Sequence, residues 1–330
     1  MTEEHPFAQY IKTLGKGRHG SRALTREEAE NAMGMILAGE VEPVQLGAFL
    51  MLLRVKEETA EELAGFVTAA RRSIPIPETL PGIDLDWSSY AGKRRQLPWY
   101  VLSALLLASH GISVLMHGMK GGGDRVHAVD ALNSLGISPS SSLSDALEKT
   151  KKKNFAFLSF DVLSPELQNI MDLRPLFGLR SPVHTIARML NPSSALLSFQ
   201  GIFHPGYLDS HQHAASLLGE NIVVFKGEGG EAERNPDLAC RVRTVLEGQM
   251  NEEEWPALFS VRHVKDEEMD VSRLSRLWRG EIDDEFGQMS VIGTAAIALK
   301  ALKRISMEEA EKLALAYWES RDISFPERVA

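Results

Sequence analysis

One loop, Ser89-Tyr90-Ala91-Gly92-Lys93-Arg94-Arg95-Gln96, joins three consecutive cations to an aromatic ring. Lysine and arginine attract a polyphosphate backbone, and an aromatic side chain stacks on a base. Arg180, His184 and Arg188 recur at a spacing of four, so in a helix they share one face; Arg174 lies just upstream. Such a face either takes an anionic ligand or pairs with acidic neighbours. Gly121-Gly122-Gly123-Asp124-Arg125 reads as a phosphate cradle or as a flexible turn. His204, His211 and His213 do not suggest a metal site. His211 and His213 are two apart, which suits neither face of a helix, and no cysteine or carboxylate stands at ligand spacing. No Ser/His/Asp or Cys/His arrangement for nucleophilic catalysis stands out.

The elements that must position these residues are those of a 330-residue chain with 44% hydrophobic and 25% charged residues, enough for a large core. The single cysteine, Cys240, excludes an internal disulfide framework and a cysteine-based zinc site, and fits a reduced, cytoplasmic compartment. The acidic start, MTEEHPF, has no apolar signal region, and no run of 18 apolar residues suggests a membrane span. Net charge is −9, unevenly spread. Between Ser89 and Leu190 stand 12 basic and 7 acidic residues, a balance of +5, against −14 elsewhere. Lys151–Lys153 reads as a solvated helix end, and Glu252–Glu254 and Asp266–Glu268 as solvated surface.

The first ~75 residues read as helices. Thr25 with Glu28, Thr59 with Glu62 and Ser306 with Glu309 form capping boxes, and Ile74-Pro75-Ile76-Pro77 closes the first helical block. Apolar or β-rich runs at 112–117, 155–160, 195–200, 222–226 and 258–261 then alternate with helical stretches, which predicts an α/β region with a mostly parallel sheet. A helix over about 290–304 precedes the one capped at Ser306.

The helical segment from Leu46 to Gly65, then His117-Gly118, Ala131-Leu132-Asn133-Ser134-Leu135-Gly136, Gly178-Leu179-Arg180-Ser181 and Asn191-Pro192 follow one another in order. This series resembles the motifs of anthranilate phosphoribosyltransferases over nearly the whole chain. The resemblance implies a helical domain over 1–75, completed by helices within 163–192. It also implies an α/β domain over 76–162 and 193–330, an interdomain cleft, and a homodimer built on the helical domain. The departures concern the donor. Where the family carries G-T-G-G-D for a diphosphate, this chain has Trp87-Ser88-Ser89-Tyr90-Ala91, and bulky side chains there are expected to fill the diphosphate space. The family's N-x-S-T falls at Gln96-Leu97-Pro98-Trp99, and K-H-G-N-R becomes Met116-His117-Gly118-Met119-Lys120. Its Asp-Glu pair for magnesium becomes Glu231-Ala232.

The pattern around Ser89–Gln96, the downstream Arg174, Gly178, Arg180, His184, Thr185 and Arg188, and His204-Pro205-Gly206-Tyr207 together resemble a divergent branch of that superfamily. That branch keeps the fold and binds nucleic acids with little sequence preference. The expected function is therefore binding of single-stranded DNA or RNA in a basic interdomain groove, without anthranilate phosphoribosyltransferase activity. The expected contacts are Ser89, Tyr90, Lys93, Arg94, Arg95, His117, Lys120, Arg125, Arg174, Arg180, His184, Arg188 and His204. No cofactor is expected. The alternative is a pentosyltransferase with an altered donor or acceptor, favoured by the retained His117 and Arg180. Magnesium enters only in that case.

Overall fold

Thr25 and Thr59 each accept an amide from the residue three positions on, while Glu28 and Glu62 reach back to the cap amide. These boxes open two helices of the N-terminal unit in the computed structural model, which describes residues 4–77, 80 and 82–324. Residues 1–3 and 325–330, at the outer ends of the expected domains, lie outside the described residues. The unit comprises α1 (Ala8–Gly15), α2 (Arg26–Leu37), α3 (Pro43–Lys56) and α4 (Ala60–Ser73). The proline pair after Ser73 ends it, as expected.

The chain then enters β1 (Leu85–Ser89), α5 (Tyr100–Ser109), β2 (Val114–Gly118), α6 (Ala128–Ser134), α7 (Leu143–Lys153) and β3 (Phe155–Ser159). Four short helices follow: α8 (Phe160–Leu163), α9 (Pro165–Met171), α10 (Arg174–Phe177) and α11 (Val183–Arg188). Next come β4 (Leu197–Ile202), α12 (Tyr207–Leu218), β5 (Ile222–Lys226), β6 (Cys240–Leu246) and β7 (Gln249–Trp255). Three helices follow: α13 (Ser272–Trp278), α14 (Glu285–Lys303) and α15 (Met307–Glu319). Ser306 opens α15 by the same reciprocal cap.

The seven strands lie in the order β3-β2-β1-β4-β5-β6-β7. The first five are parallel, and β6 and β7 are antiparallel additions. Alternate strand residues face opposite layers. Trp87, Met116, Phe157, Phe199 and Phe225 share a core with α5 and α14. Leu115 and Leu158 belong instead to the apolar cluster that joins α1–α4 to α8, α9 and α11. The chain runs outward from β1 to β3, then returns and runs the other way from β4. The order therefore reverses between β1 and β4, and a crevice opens outside their carboxyl ends, where ligands bind in open α/β sheets.

Two expectations are corrected. Residues 258–261 form no strand: β7 ends at Trp255 before Pro256, and the amides of Leu258 and Phe259 turn to the Pro236 carbonyl. Strands β1, β6 and β7 went unexpected: Asp86, Ser88 and Ser89 interrupt the apolar residues of β1, and the Glu252–Glu254 run hides any apolar alternation in the exposed edge strand β7.

Candidate binding cleft at the sheet switch point

Outside the carboxyl ends of β1, β4 and β5 lies a cleft of about 860 Å³. The loop after β1 lines one side, with Gly92 to Gln96. Phe203 to Pro205 after β4, and Lys226 at the end of β5 with Gly227 to Gly229 after it, line the others. Arg125, Arg241 and Lys265 add further cations, and Glu228 and Glu254 are the acidic lining residues. Phe203 and His204 separate it from a second cavity of about 120 Å³, lined by Arg54, Glu58, Arg180, His184, Arg188 and Tyr207 among others.

The loop after β1 is closed from within. Glu231 lies on the turn after β5, and its Oε1 accepts the amides of Ala91 at 2.7 Å and Gly92 at 2.5 Å. Gly92 is left-handed, with φ +67°, so the two successive N–H groups form a small anion nest. An internal carboxylate sits in it. Gly227 makes this return possible, since a Cβ there would lie 1.6 Å from the Glu231 carbonyl oxygen. Lys93 Nζ sits 2.5 Å from Glu233 Oε1, with both side chains buried. Glu233 Oε2 accepts the Tyr100 amide. Burial pushes the Glu233 carboxyl up to about 7, against the pull of Lys93.

Several expected contacts are therefore not available to a macromolecule, for steric reasons. Ser89 is buried, with its hydroxyl 2.8 Å from that of Tyr100. Tyr90 is buried and cannot stack on a base; its hydroxyl lies 2.6 Å from His117 Nδ1. His117 is fully buried, with Nε2 3.1 Å from Asp86. The polar line continues through Ser198 and Gln200 to His211, so these groups form an internal network beneath the cleft. Lys93 is buried against Glu233. Trp87 does not enter the cleft but packs against Phe199 and Tyr100 in the core, so its bulk is not what closes the donor space. Arg188 is buried, donates to the carbonyls of Gly201 and His184, and lies over the Tyr90 ring.

The remaining expected residues stand at the surface or in the second cavity. Arg94 is exposed and paired with Asp124, Lys120 is exposed near Asp161, and Arg95 and His204 are exposed. Arg125 is half-buried and donates to the carbonyls of Ala91 and Gly92, clamping the loop. Helix α11 starts only at Val183, so Arg180 precedes it, yet Arg180, His184 and Arg188 line one cavity. Burial, together with Arg188, Arg174 and Arg125, brings the Arg180 guanidinium down to about 10. Burial, Arg180 and Arg188 push His184 down to about 3. Glu231 counters this cationic field at Arg180. The glycines at 121–123 are all left-handed, in a turn ending at the Arg94–Asp124 pair.

Sequence reasoning passed over Lys226, Arg241, Lys265 and Phe203. Lys226 is the last residue of β5, Phe203 follows the last of β4, Arg241 stands at the start of β6 and Lys265 on a loop, and this gathering at strand ends near the switch point is the signal that would have found them. Arg95, Lys226, Lys265, Arg174 and Arg180 have no ion-pair partner among the described residues. Magnesium does not fit: Glu231 Oε1 and both oxygens of Glu233 turn onto internal donors, which leaves Glu231 Oε2 as a single buried oxygen without a hydrogen-bond partner among the described residues. Among the described residues no three His, Cys, Asp or Glu side chains converge. Among them, too, no helix is long and apolar enough to cross a membrane.

Residues 8–74 match the helical bundle domain of the glycosyl transferase family. An uncharacterized protein of Aquifex aeolicus is 32% identical over 239 residues, covering 71% of this chain and 72% of that protein. The anthranilate phosphoribosyltransferase of Beijerinckia indica is 29% identical over 226 residues, 68% of this chain and 65% of that enzyme. In three dimensions, the anthranilate phosphoribosyltransferase of Thermus thermophilus superposes with a TM-score of 0.80 at 23% identity, covering 99% of this chain and 98% of that one. In sequence and in fold the chain is thus similar to the anthranilate phosphoribosyltransferase-like superfamily.

Proposed function

We propose that the chain binds single-stranded DNA or RNA in this cleft, mainly through its phosphates and with little sequence preference. The observation that carries this reading is where the unpaired charge stands. The amides and the lysine at the base of the loop are used internally, by Glu231 and Glu233. Arg95, Lys226 and Lys265 stand exposed around the mouth. A compact sugar diphosphate needs donors converging at the base. An extended polyanion is held by cations spaced along a groove. The acidic remainder of the chain slows approach only within the screening length of about 8–10 Å. A cytoplasmic location and a homodimer through the helical unit belong to the same proposal. Val44, Val55 and Leu176 are exposed apolar side chains on α3 and α10 that support the second.

A second reading, pentosyl transfer with an altered donor or acceptor, is favoured by the likeness in sequence and fold to anthranilate phosphoribosyltransferases. The comparisons speak for it more directly than for nucleic acid. The cationic small cavity around Arg180 is where such a ligand would enter.

The test is a fluorescence titration of a labelled single strand across a salt series, with phosphoribosyl pyrophosphate and magnesium as competitor. Affinity falling steeply with salt, untouched by the competitor, supports strand binding. No strand binding, with turnover or a raised melting temperature on adding the sugar diphosphate, supports the second reading.

A further inference from the structure

Phe203 stands 55% exposed, and among the described residues no other phenylalanine or tryptophan is exposed to that degree. It follows Ile202, the last residue of β4, so it sits at the carboxyl edge of one of the two strands that flank the switch point. Its base is fixed. Gly230, left-handed at φ +88°, packs closely beside it: a Cβ there would lie 3.1 Å from that of Phe203, tighter than ordinary contact. The His204 ring meets the Phe203 ring edge-on at 4.8 Å. The free ring forms part of the wall of both cavities. Arg95 and Lys226 share the larger cavity with it, and Arg180 the smaller. An exposed aromatic face flanked by unpaired cations is the arrangement that holds an unpaired base between its own phosphates. Tyr90, the ring expected for this task, is buried.

We infer that Phe203 is the stacking platform for an unpaired base of the bound strand. The inference rests on the strand-binding reading above and specifies what that site recognises besides phosphate. It also sets a preference: a strand whose bases are free binds better than one without bases, at equal charge.

The experiment compares an oligothymidine of about 15 nucleotides with an abasic strand of the same length, within the ~4–16 nucleotide site sizes of such grooves. Both are titrated against the full chain, Phe203→Ala and Phe203→Trp. The parent is expected to bind oligothymidine about 5- to 150-fold more tightly than the abasic strand, the range that loss of one stacked base produces. Phe203→Ala is expected to lower only the oligothymidine affinity, to the abasic level. Phe203→Trp is expected to keep the preference. Because all five native tryptophans are buried, its new exposed indole reports the contact by quenching with oligothymidine and not with the abasic strand. Equal parent affinity for the two strands overturns the stacking role and leaves phosphate binding standing. An equal loss for both strands in Phe203→Ala also overturns it, since it assigns the residue to the shape of the loop. Failure to bind either strand overturns the strand-binding reading itself. If thymidine monophosphate then quenches the new indole, the ring belongs to a free nucleotide and the strand inference falls.

Discussion

Replacing Lys93 with methionine separates a structural cation from a ligand-binding one. Lys93 is the first cation of the Lys-Arg-Arg run, yet its side chain is 2% exposed, with the ammonium 2.5 Å from Glu233 Oε1 and 3.2 Å from the Glu228 carbonyl. Methionine fills the stem volume and removes the charge. Glu233 is then left buried, with the Tyr100 amide as its remaining donor. Breaking one side of a buried pair costs about 3–5 kcal/mol. Because burial already lifts the Glu233 carboxyl to about 7, the variant takes up a proton there and the loss falls toward the lower figure. With an unfolding entropy of ~2.1 cal/mol/K per residue over the whole chain, a loss of 3–5 kcal/mol lowers the melting temperature by about 4–7 °C. Glu233→Gln keeps an acceptor for Tyr100 without charge, so the double variant is expected to regain most of that loss. Thermal unfolding and strand titration on the same preparations provide the assay. Strand affinity of folded Lys93→Met should match the parent. A melting temperature within about 1 °C of the parent, together with a clear loss of strand affinity, would refute the assignment and return Lys93 to the ligand.

Three further outcomes are expected. Phosphoribosyl pyrophosphate with magnesium should leave the melting temperature unchanged; a donor at 100-fold its Kd would stabilise by about 2.7 kcal/mol, so a clear rise sinks the reading that Glu231 closes the loop. Burial pushes the Glu58 carboxyl up to about 7, so its contribution to stability is present below about 4.5 and lost as pH rises through 7. His184 and His211, pushed down to about 3, oppose it, and the comparison with Glu58→Gln isolates the carboxyl. That variant should gain stability relative to the parent at pH 8, and identical pH–stability curves would contradict the assignment. Gly118→Ala should cost about 1–3 kcal/mol or more, because its Cβ would lie 2.0 Å from the Ser89 carbonyl across the β1–β2 ladder; a denaturation midpoint equal to the parent's would contradict this.

Much of the scaffold was legible because its signals are local. The capping pairs at Thr25, Thr59 and Ser306 name the helix starts, and Ile222–Lys226 is an apolar run bounded by polar residues that forms a strand over that range. The site was legible only in composition. Lys93 and Arg95 are two residues apart in one cationic run, but only the fold decides that one meets Glu233, 140 positions away, and the other meets solvent. The same holds for Tyr90, whose partner His117 comes from the neighbouring strand. Glu231 reads as a weakened metal motif in sequence. That it fills the nest of Ala91 and Gly92 follows from a turn after β5 that no local pattern announces.

The most direct measurement is the salt dependence of single-strand binding in the parent and in the triple variant Arg95→Ala, Lys226→Ala and Lys265→Ala. Each phosphate contact contributes about −0.7 to the slope of log K against log salt for a single strand. Removing three cations should flatten the slope by about 2 and weaken every sequence alike. An unchanged slope and affinity would place the strand elsewhere on the molecule, or nowhere on it.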